Sequence, residues 1–485
     1  MGKNLKNTLK LLFPIFFLVI LLRLPSLFEP NNYADEDIYL TLGQGLKRGL
    51  IFYRDIHDNK PPLIYILAAI AGNVPTFRLI LLFWNLVNVF FFYRLAQKLF
   101  KRQLPQVLAA LLFVILSSIP LTEGQISNGE IFMIMPATIG ALLLFTSTKF
   151  LLAGVFFSLA FLFKIPVIFE FAALMFWLIF YQSKTVKSTF KKLFSSLAYL
   201  PTLGLLLPIL STILYYYLVG AGQVYVKAAL LQNISYLSSW ESGSYRLPLY
   251  QSQFFLRIVI FTIFVAFTYF FRRRLGKNFG FITLWFIGAL FGVLLSGRPY
   301  PHYFIQLLPP LCLFLGFIFD QKGKTIYHLS FSFILLFVTA LFLFYYRFWY
   351  YPSLPYYKNF LSYASGSISR QDYYRFWGDY VLSNQKIAEF IKKNTTPDQK
   401  IFVWGTEPSI YVLSDRLPVG RYTVTYHIVD FNAYQETIER LNAAPPPFIV
   451  YFPDSPDFAG LDDFLNLYYT VDQVISPAII FRLQK

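Results

Sequence analysis

The residues best suited to chemistry fall in four short stretches. "NNYADEDIYL" (31–40) sets Asp35, Glu36 and Asp37 side by side. "PLTEGQISNGEIF" carries Glu123, Asn128 and Glu130, and "FLFKIPVIFE" carries a lone lysine, Lys164. "SGRPYPHYFIQLLPP" brings Arg298, Tyr300, His302 and Tyr303. A carboxylate can take a proton from a hydroxyl nucleophile or hold a divalent cation. Cationic side chains can hold a phosphate leaving group. This set suits the transfer of a group from a lipid phosphate to an acceptor hydroxyl.

Each stretch also has a plainer explanation. Acids are favoured at a helix start, where the backbone amides and the dipole attract negative charge. That covers Asp35 to Asp37, ahead of the helical spacing of "IYLTLGQGLKRG", which would suit a helix lying at a membrane interface. It covers Glu130 as well. A lone Lys164 beside apolar runs usually snorkels to the surface. Arg298 with Tyr300 and Tyr303 reads equally as an interfacial aromatic belt.

The elements that must position these residues are hydrophobic. Of 485 residues, 56% are hydrophobic and 14% charged, with mean hydropathy +0.52; soluble domains carry about 25% charged residues. Apolar runs at 9–28, 76–97, 104–120, 131–148, 150–164, 166–182, 195–219, 253–271, 279–297, 302–320 and 325–346 predict an all-α polytopic membrane protein with about eleven spans. The stretch 62–73 is too short to cross. The first run follows Lys3, Lys6 and Lys10 and is kept as a span rather than a signal peptide, since no small-residue cleavage site follows it. The single cysteine, Cys312, excludes a disulfide framework within the chain.

Basic residues mark every second boundary: Lys98, Lys101 and Arg102; Lys149; Lys184, Lys187, Lys191 and Lys192; Arg272 to Arg274 and Lys277; Lys322 and Lys324. This positive-inside pattern predicts a plasma-membrane protein with its N-terminus in the cytoplasm and its C-terminal tail outside. The net charge of +17 lies in these short loops, so it marks topology and not a nucleic-acid-binding surface. Nine of the first eleven acids fall on the outer side: Glu29, Asp35, Glu36, Asp37, Asp55, Asp58, Glu123, Glu130 and Glu241. An acid cluster confined to one face points to a site there.

The organisation expected is a transmembrane module over 1–346, a linker over 347–383 and a small extracytoplasmic α/β domain over 384–485. In the last, "NQKIAEFIKKN" and "AYQETIERLNAA" have helical spacing, and "KIFVWG", "PFIVYF" and "AIIFRL" are short β-rich runs. Acceptor docking is its expected role. His57 sits in the first outer loop, where it could touch substrate; His57, His328 and His427 lack metal-ligand spacing to one another.

Five stretches carry a resemblance: "DEDIYLTLGQGLKRGLIFYRDIHDNKPPLIYIL", "NGEIFMIMPA", "LAFLFKIP" and "GRPYPHYFIQLLPPL", with "KIFVWGTEPSIYVLSDRLPVGRYT" in the tail. In this order they resemble the lipid-dependent glycosyltransferases of the GT-C class. The nearest groups are protein O-mannosyltransferases, the aminoarabinose transferase of lipid A, and bacterial family-39 or RgtA/B/C/D-like enzymes. The resemblance covers most of 1–346. It implies a polyprenyl-phosphate sugar donor, a protein, lipid or glycan acceptor, and inverting attack by an acceptor hydroxyl on the outer face.

By the same resemblance, Asp35 is the catalytic base, with Glu36 orienting the acceptor or balancing charge and Glu130 as the second acidic motif. Lys60, Lys164, Arg298 and His302 contact the donor phosphate. Asn128, Tyr303, Asp55 and His57 complete the expected substrate contacts. Where the aminoarabinose transferases have a metal-binding Glu, this chain has Asn59; a divalent cation on Asp35 and Glu130 is the remaining cofactor candidate. Two other classes compete. A lipid or sugar transporter, or flippase, would place ionisable groups at the bilayer midplane, often on internal repeats, and neither is evident. A non-catalytic scaffold would leave the acids and Lys60 without a purpose.

Overall fold

The structure, a computed structural model, describes residues 2–146, 149–232, 253–320, 325–348 and 350–484. Glu241, Lys322 and Lys324 lie outside these. Among the described residues, seven helices are long and apolar enough to cross a membrane: Leu9–Phe28, Val74–Leu99, Gly129–Thr146, Lys187–Leu218, Arg272–Leu294, Pro301–Phe319 and Ile326–Tyr345. Four shorter apolar helices, Gln103–Leu116, Phe150–Phe163, Val167–Tyr181 and Phe254–Phe270, accompany them. This is a multi-pass membrane protein, as its hydropathy requires.

The chain forms two compact units. The first comprises Met1–Leu24, Leu81–Tyr215 and Leu230–Ser353, and it is helical. Lipid offers no hydrophobic drive to bring helices together, so they associate through close packing at small residues. Gly154 and Gly204 show this. A Cβ on Gly154 would stand 2.0 Å from the Pro201 carbonyl oxygen, and one on Gly204 2.1 Å from that of Leu151. The interior is aromatic, with Trp177 and Trp285 fully buried and the Phe281 ring edge-on to both.

The second unit comprises Pro25–Ile80, Tyr216–Ala229 and Leu354–Lys485. Its C-terminal portion holds a four-stranded sheet of β1 (Phe402–Trp404), β2 (Phe448–Tyr451), β3 (Tyr469–Ile475) and β4 (Ala478–Leu483), in the order β1-β2-β4-β3. β1 and β2 are parallel; β4 runs antiparallel to β2 and β3. Side chains alternate between the two faces of a strand. Phe402, Trp404 and Ile449 enter one core with Leu461 and Phe464, and Val403, Val450 and Ile480 enter the other with Ile387 and Ile391. The small α/β fold expected of the tail is present.

The acid-bearing segment 29–61 belongs to this same unit. Its helix, Ala34–Lys47, begins where the acids fall, but it is enclosed rather than laid on an interface: Ile38 through Gly43 are all buried. Gly43 permits this. A Cβ there would stand 2.6 Å from the Ala69 amide nitrogen of the helix Leu63–Ala71. On another side, Thr41 and Gln44 donate to the carbonyls of Pro408 (3.5 Å) and Val412 (3.3 Å), and Arg48 pairs with Asp415 at 2.8 Å.

Candidate active site

The candidate residues fall into two groups, one in each unit. The first gathers around Asp35. The acids do occupy the first turn of this helix, where its dipole favours them, but the N-cap is Tyr33 and no side chain caps the helix. The three adjacent acids take three environments, set by the helical rotation between consecutive positions. Glu36 is buried and pairs with Arg78 at 2.5 Å; Arg78 also pairs with Glu29 at 2.6 Å, and Glu29 accepts from the Tyr356 hydroxyl. Asp37 is buried and accepts from the Asn31 amide at 2.5 Å. Burial pushes its carboxyl well above the usual range, against the pull of that hydrogen bond.

Asp35 alone keeps access to solvent, with a quarter (26%) of its side chain exposed. The Tyr39 hydroxyl, one helical turn on, donates to it at 3.1 Å, and the Lys60 ammonium stands 3.5 Å away. Lys60 lies 5.0 Å over the Tyr39 ring and 3.9 Å from Asp58. Its backbone is fixed by the Tyr53 hydroxyl, which donates to the Lys60 carbonyl at 2.7 Å. Pro61 and Pro62 then start the next helix. Asp58 is sealed from water, accepts from the Asn59 amide at 2.6 Å and stands 3.7 Å from His427. Burial opposes charge on Asp58, but Lys60 and His427 hold its pKa below the ordinary value.

Asp55 and His57 have local partners. Asp55 accepts from the Ile51 amide at 2.8 Å and pairs with Arg54 at 2.8 Å, closing a turn. His57 is buried edge-on to Tyr422 and Phe431. Burial, with His427 and Arg421 nearby, pushes its pKa down to about 4.

The second group gathers around Lys164. That residue breaks the helical path: the helix Phe150–Phe163 ends at it in an extended conformation, and Pro166 starts the next. Lys164 does not snorkel alone. Its ammonium pairs with Glu130 at 2.7 Å and lies 5.0 Å over the Tyr303 ring. Asn128 is buried and immediately precedes the helix Gly129–Thr146, which carries Glu130 in its first turn.

His302 lies on the 3-10 segment Pro301–Leu307, buried, with Nδ1 2.5 Å from a Glu123 carboxylate oxygen. Glu123 has a left-handed backbone, φ 56°. Its turn is held by Arg23, which donates to the carbonyls of Ser117 (2.6 Å) and Gly124 (2.7 Å). Arg298 is half-buried just before this segment, with its amide donating to the Ser296 hydroxyl at 3.3 Å.

Of the residues named singly from sequence, Asp35 meets Lys60, and Lys164 meets Glu130 and lies over Tyr303. Sequence reasoning missed Tyr39, Asp58, Arg78 and His427 as partners. Tyr39 had a signal, standing four residues after Asp35 on a helix. Among the described residues, no group of three or more His, Cys, Asp or Glu is arranged to hold a metal ion.

No known family profile matches the sequence, and no curated protein matches it. Solved structures do. ArnT from Cupriavidus metallidurans bound to undecaprenyl phosphate is similar at a TM-score of 0.59 and 12% identity, over 98% of this chain and 97% of that one. The chain has the ArnT fold. The same protein in its apo state is similar at 0.56 and 12% identity, over 99% of this chain and 98% of that one. The GT-C class fold implied by the motif resemblance is thus the fold found.

Proposed function

We propose that the chain is an integral-membrane glycosyltransferase that moves a sugar from a polyprenyl-phosphate donor to an acceptor hydroxyl. The observation that carries this reading is Asp35: a solvent-accessible carboxylate held by Tyr39 and Lys60, in a chain with the fold of a protein crystallised with undecaprenyl phosphate. In this reading Asp35 takes the acceptor's hydroxyl proton as that oxygen attacks the anomeric carbon. The bond from that carbon to the phosphate oxygen breaks, and the lipid phosphate leaves with the electron pair. A single displacement inverts the anomeric centre.

Lys60 meets the charge on the departing phosphate. In the other unit, Lys164, Arg298 and His302 are further groups suited to an anionic ligand, with Glu130 holding Lys164 through their ion pair. Glu36 balances Arg78 and so fixes the helix that presents Asp35. The residues that touch donor and acceptor lie in 1–346, and the reaction occurs outside, with the N-terminus in the cytoplasm and residues 384–485 on the far side. The test is sugar release by membranes holding the protein, measured with a panel of radiolabelled polyprenyl-phosphate sugars. Release from one donor, dependent on the protein, supports the reading and names the sugar. No release from any donor contradicts it.

A further inference from the structure

Asp58 carries no role in the reaction just described, yet it is the most deeply buried carboxylate beside Lys60, with 1% of its side chain exposed. A buried carboxylate is expensive unless its charge is met. Lys60 meets it from one side at 3.9 Å, and His427 of the helix Thr425–Asp430 stands on another at 3.7 Å. Burial pushes His427 below its ordinary pKa, so near neutral pH Lys60 supplies the positive charge and His427 walls the carboxylate from water. The same C-terminal segment grips the preceding residue. The His57 amide donates to the Arg421 carbonyl at 2.9 Å, and its ring packs between Tyr422 and Phe431.

Lys60 thus stands between two unlike carboxylates, one open and one sealed. A lysine is a point charge on a flexible stem, so its position must be imposed from outside. Paired with Asp35 alone, it would follow and neutralise the proposed base. A second, permanently buried anion gives it an anchor that no substrate displaces. We infer that Asp58 is a positioning residue that holds the Lys60 ammonium for a lipid phosphate, and that residues 421–431 of the C-terminal domain hold Asp58 through His427 and the Arg421 carbonyl. The C-terminal domain is then a component of the donor site. This rests on the reading of Lys60 as a donor-phosphate contact.

The test is binding of undecaprenyl phosphate to the full-length protein, compared among wild type, Asp58→Asn, Lys60→Gln, His427→Gln and the two double variants with Lys60→Gln. Asp58→Asn is expected to weaken binding about tenfold and His427→Gln a few-fold, with neither adding to the loss from Lys60→Gln, because coupled groups are non-additive. A merely structural role would add its full loss in either background. If Asp58→Asn does not fold, the His427→Gln cycle carries the test. Wild-type affinity in the folded variants overturns the inference, as do additive losses or a wild-type protein that binds no undecaprenyl phosphate. Normal binding without sugar transfer from any donor removes the transferase reading and leaves the positioning role standing.

Discussion

The two groups of charged residues solve the same electrostatic problem differently. Around Lys164 the carboxylates meet cationic or ionisable side chains directly: Glu130 pairs with the lysine and Glu123 with His302. Around Asp35, neighbouring carboxylates are sorted by depth. Glu29 and Glu36 share the buried Arg78, Asp37 accepts from the neutral Asn31 amide, and Asp35 and Asp58 share Lys60. The difference teaches where reactivity is left over. A group fully committed to a buried ion pair has little left to offer a substrate. One that shares a cation and keeps contact with water does.

The largest effect expected is on folding. Deleting residues 384–485 removes the partners of Thr41, Gln44 and Arg48 and bares the helix that carries Asp35. The truncated chain should yield no monodisperse protein on size exclusion. A well-behaved truncation lacking only acceptor preference would contradict the enclosure of that helix in the second unit.

Breaking one ion pair in each group comes next. Arg78→Ala strands two fully buried carboxylates, and removing one partner of a buried pair costs about 3–5 kcal/mol. Lys164→Ala strands Glu130 alone beside a lysine site that is 17% exposed, and should cost less, roughly 1–3 kcal/mol. Thermal unfolding of the two purified variants compares them; an equal or reversed order would remove the distinction between the groups.

How much of this was legible in sequence depends on whether the cause is local. The spans followed from runs of apolar residues, and the helix at Ala34 from its spacing and acid start. β1, β2 and β4 followed from β-rich runs. β3, "YTVDQVI", is an edge strand with most of its residues exposed, so it lacks the alternation that marks a half-buried strand. The sorting of Asp35, Glu36 and Asp37 was illegible, because Arg78, Asn31 and Lys60 are assigned to them by tertiary packing. His427 reaches Asp58 from the far end of the sequence, and no local pattern announces that.

The pH dependence sharpens the contrast further. His57 has an ordinary pKa of 6.5 and a folded value of about 4. The unfolded chain takes up a proton below 6.5 while the folded one resists until about 4, so stability is complete above 6.5 and drains away as pH falls between these values. The full loss is roughly 3 kcal/mol, and His427, also depressed by burial, acts in the same direction. Unfolding midpoints at a series of pH values should fall through this window, and His57→Phe, which suits the aromatic pocket, should flatten the slope. A pH-independent midpoint would contradict the neutral buried histidines.

The smallest effect expected is from Tyr39→Phe, which removes only the hydroxyl donated to Asp35. Losing one hydrogen bond of about 1 kcal/mol should slow sugar transfer roughly fivefold with little change in stability. An unchanged rate would mean that Lys60 alone places the carboxylate.

The most direct measurement pairs transfer with binding in one preparation of wild type and Asp35→Asn. Sugar transfer from the donor identified by the panel should fall by about 10²–10⁴-fold, the usual contribution of a general base. Undecaprenyl phosphate affinity should be kept or tightened, since Lys60 loses a competing anion. Equal transfer by both proteins would contradict Asp35 as the base.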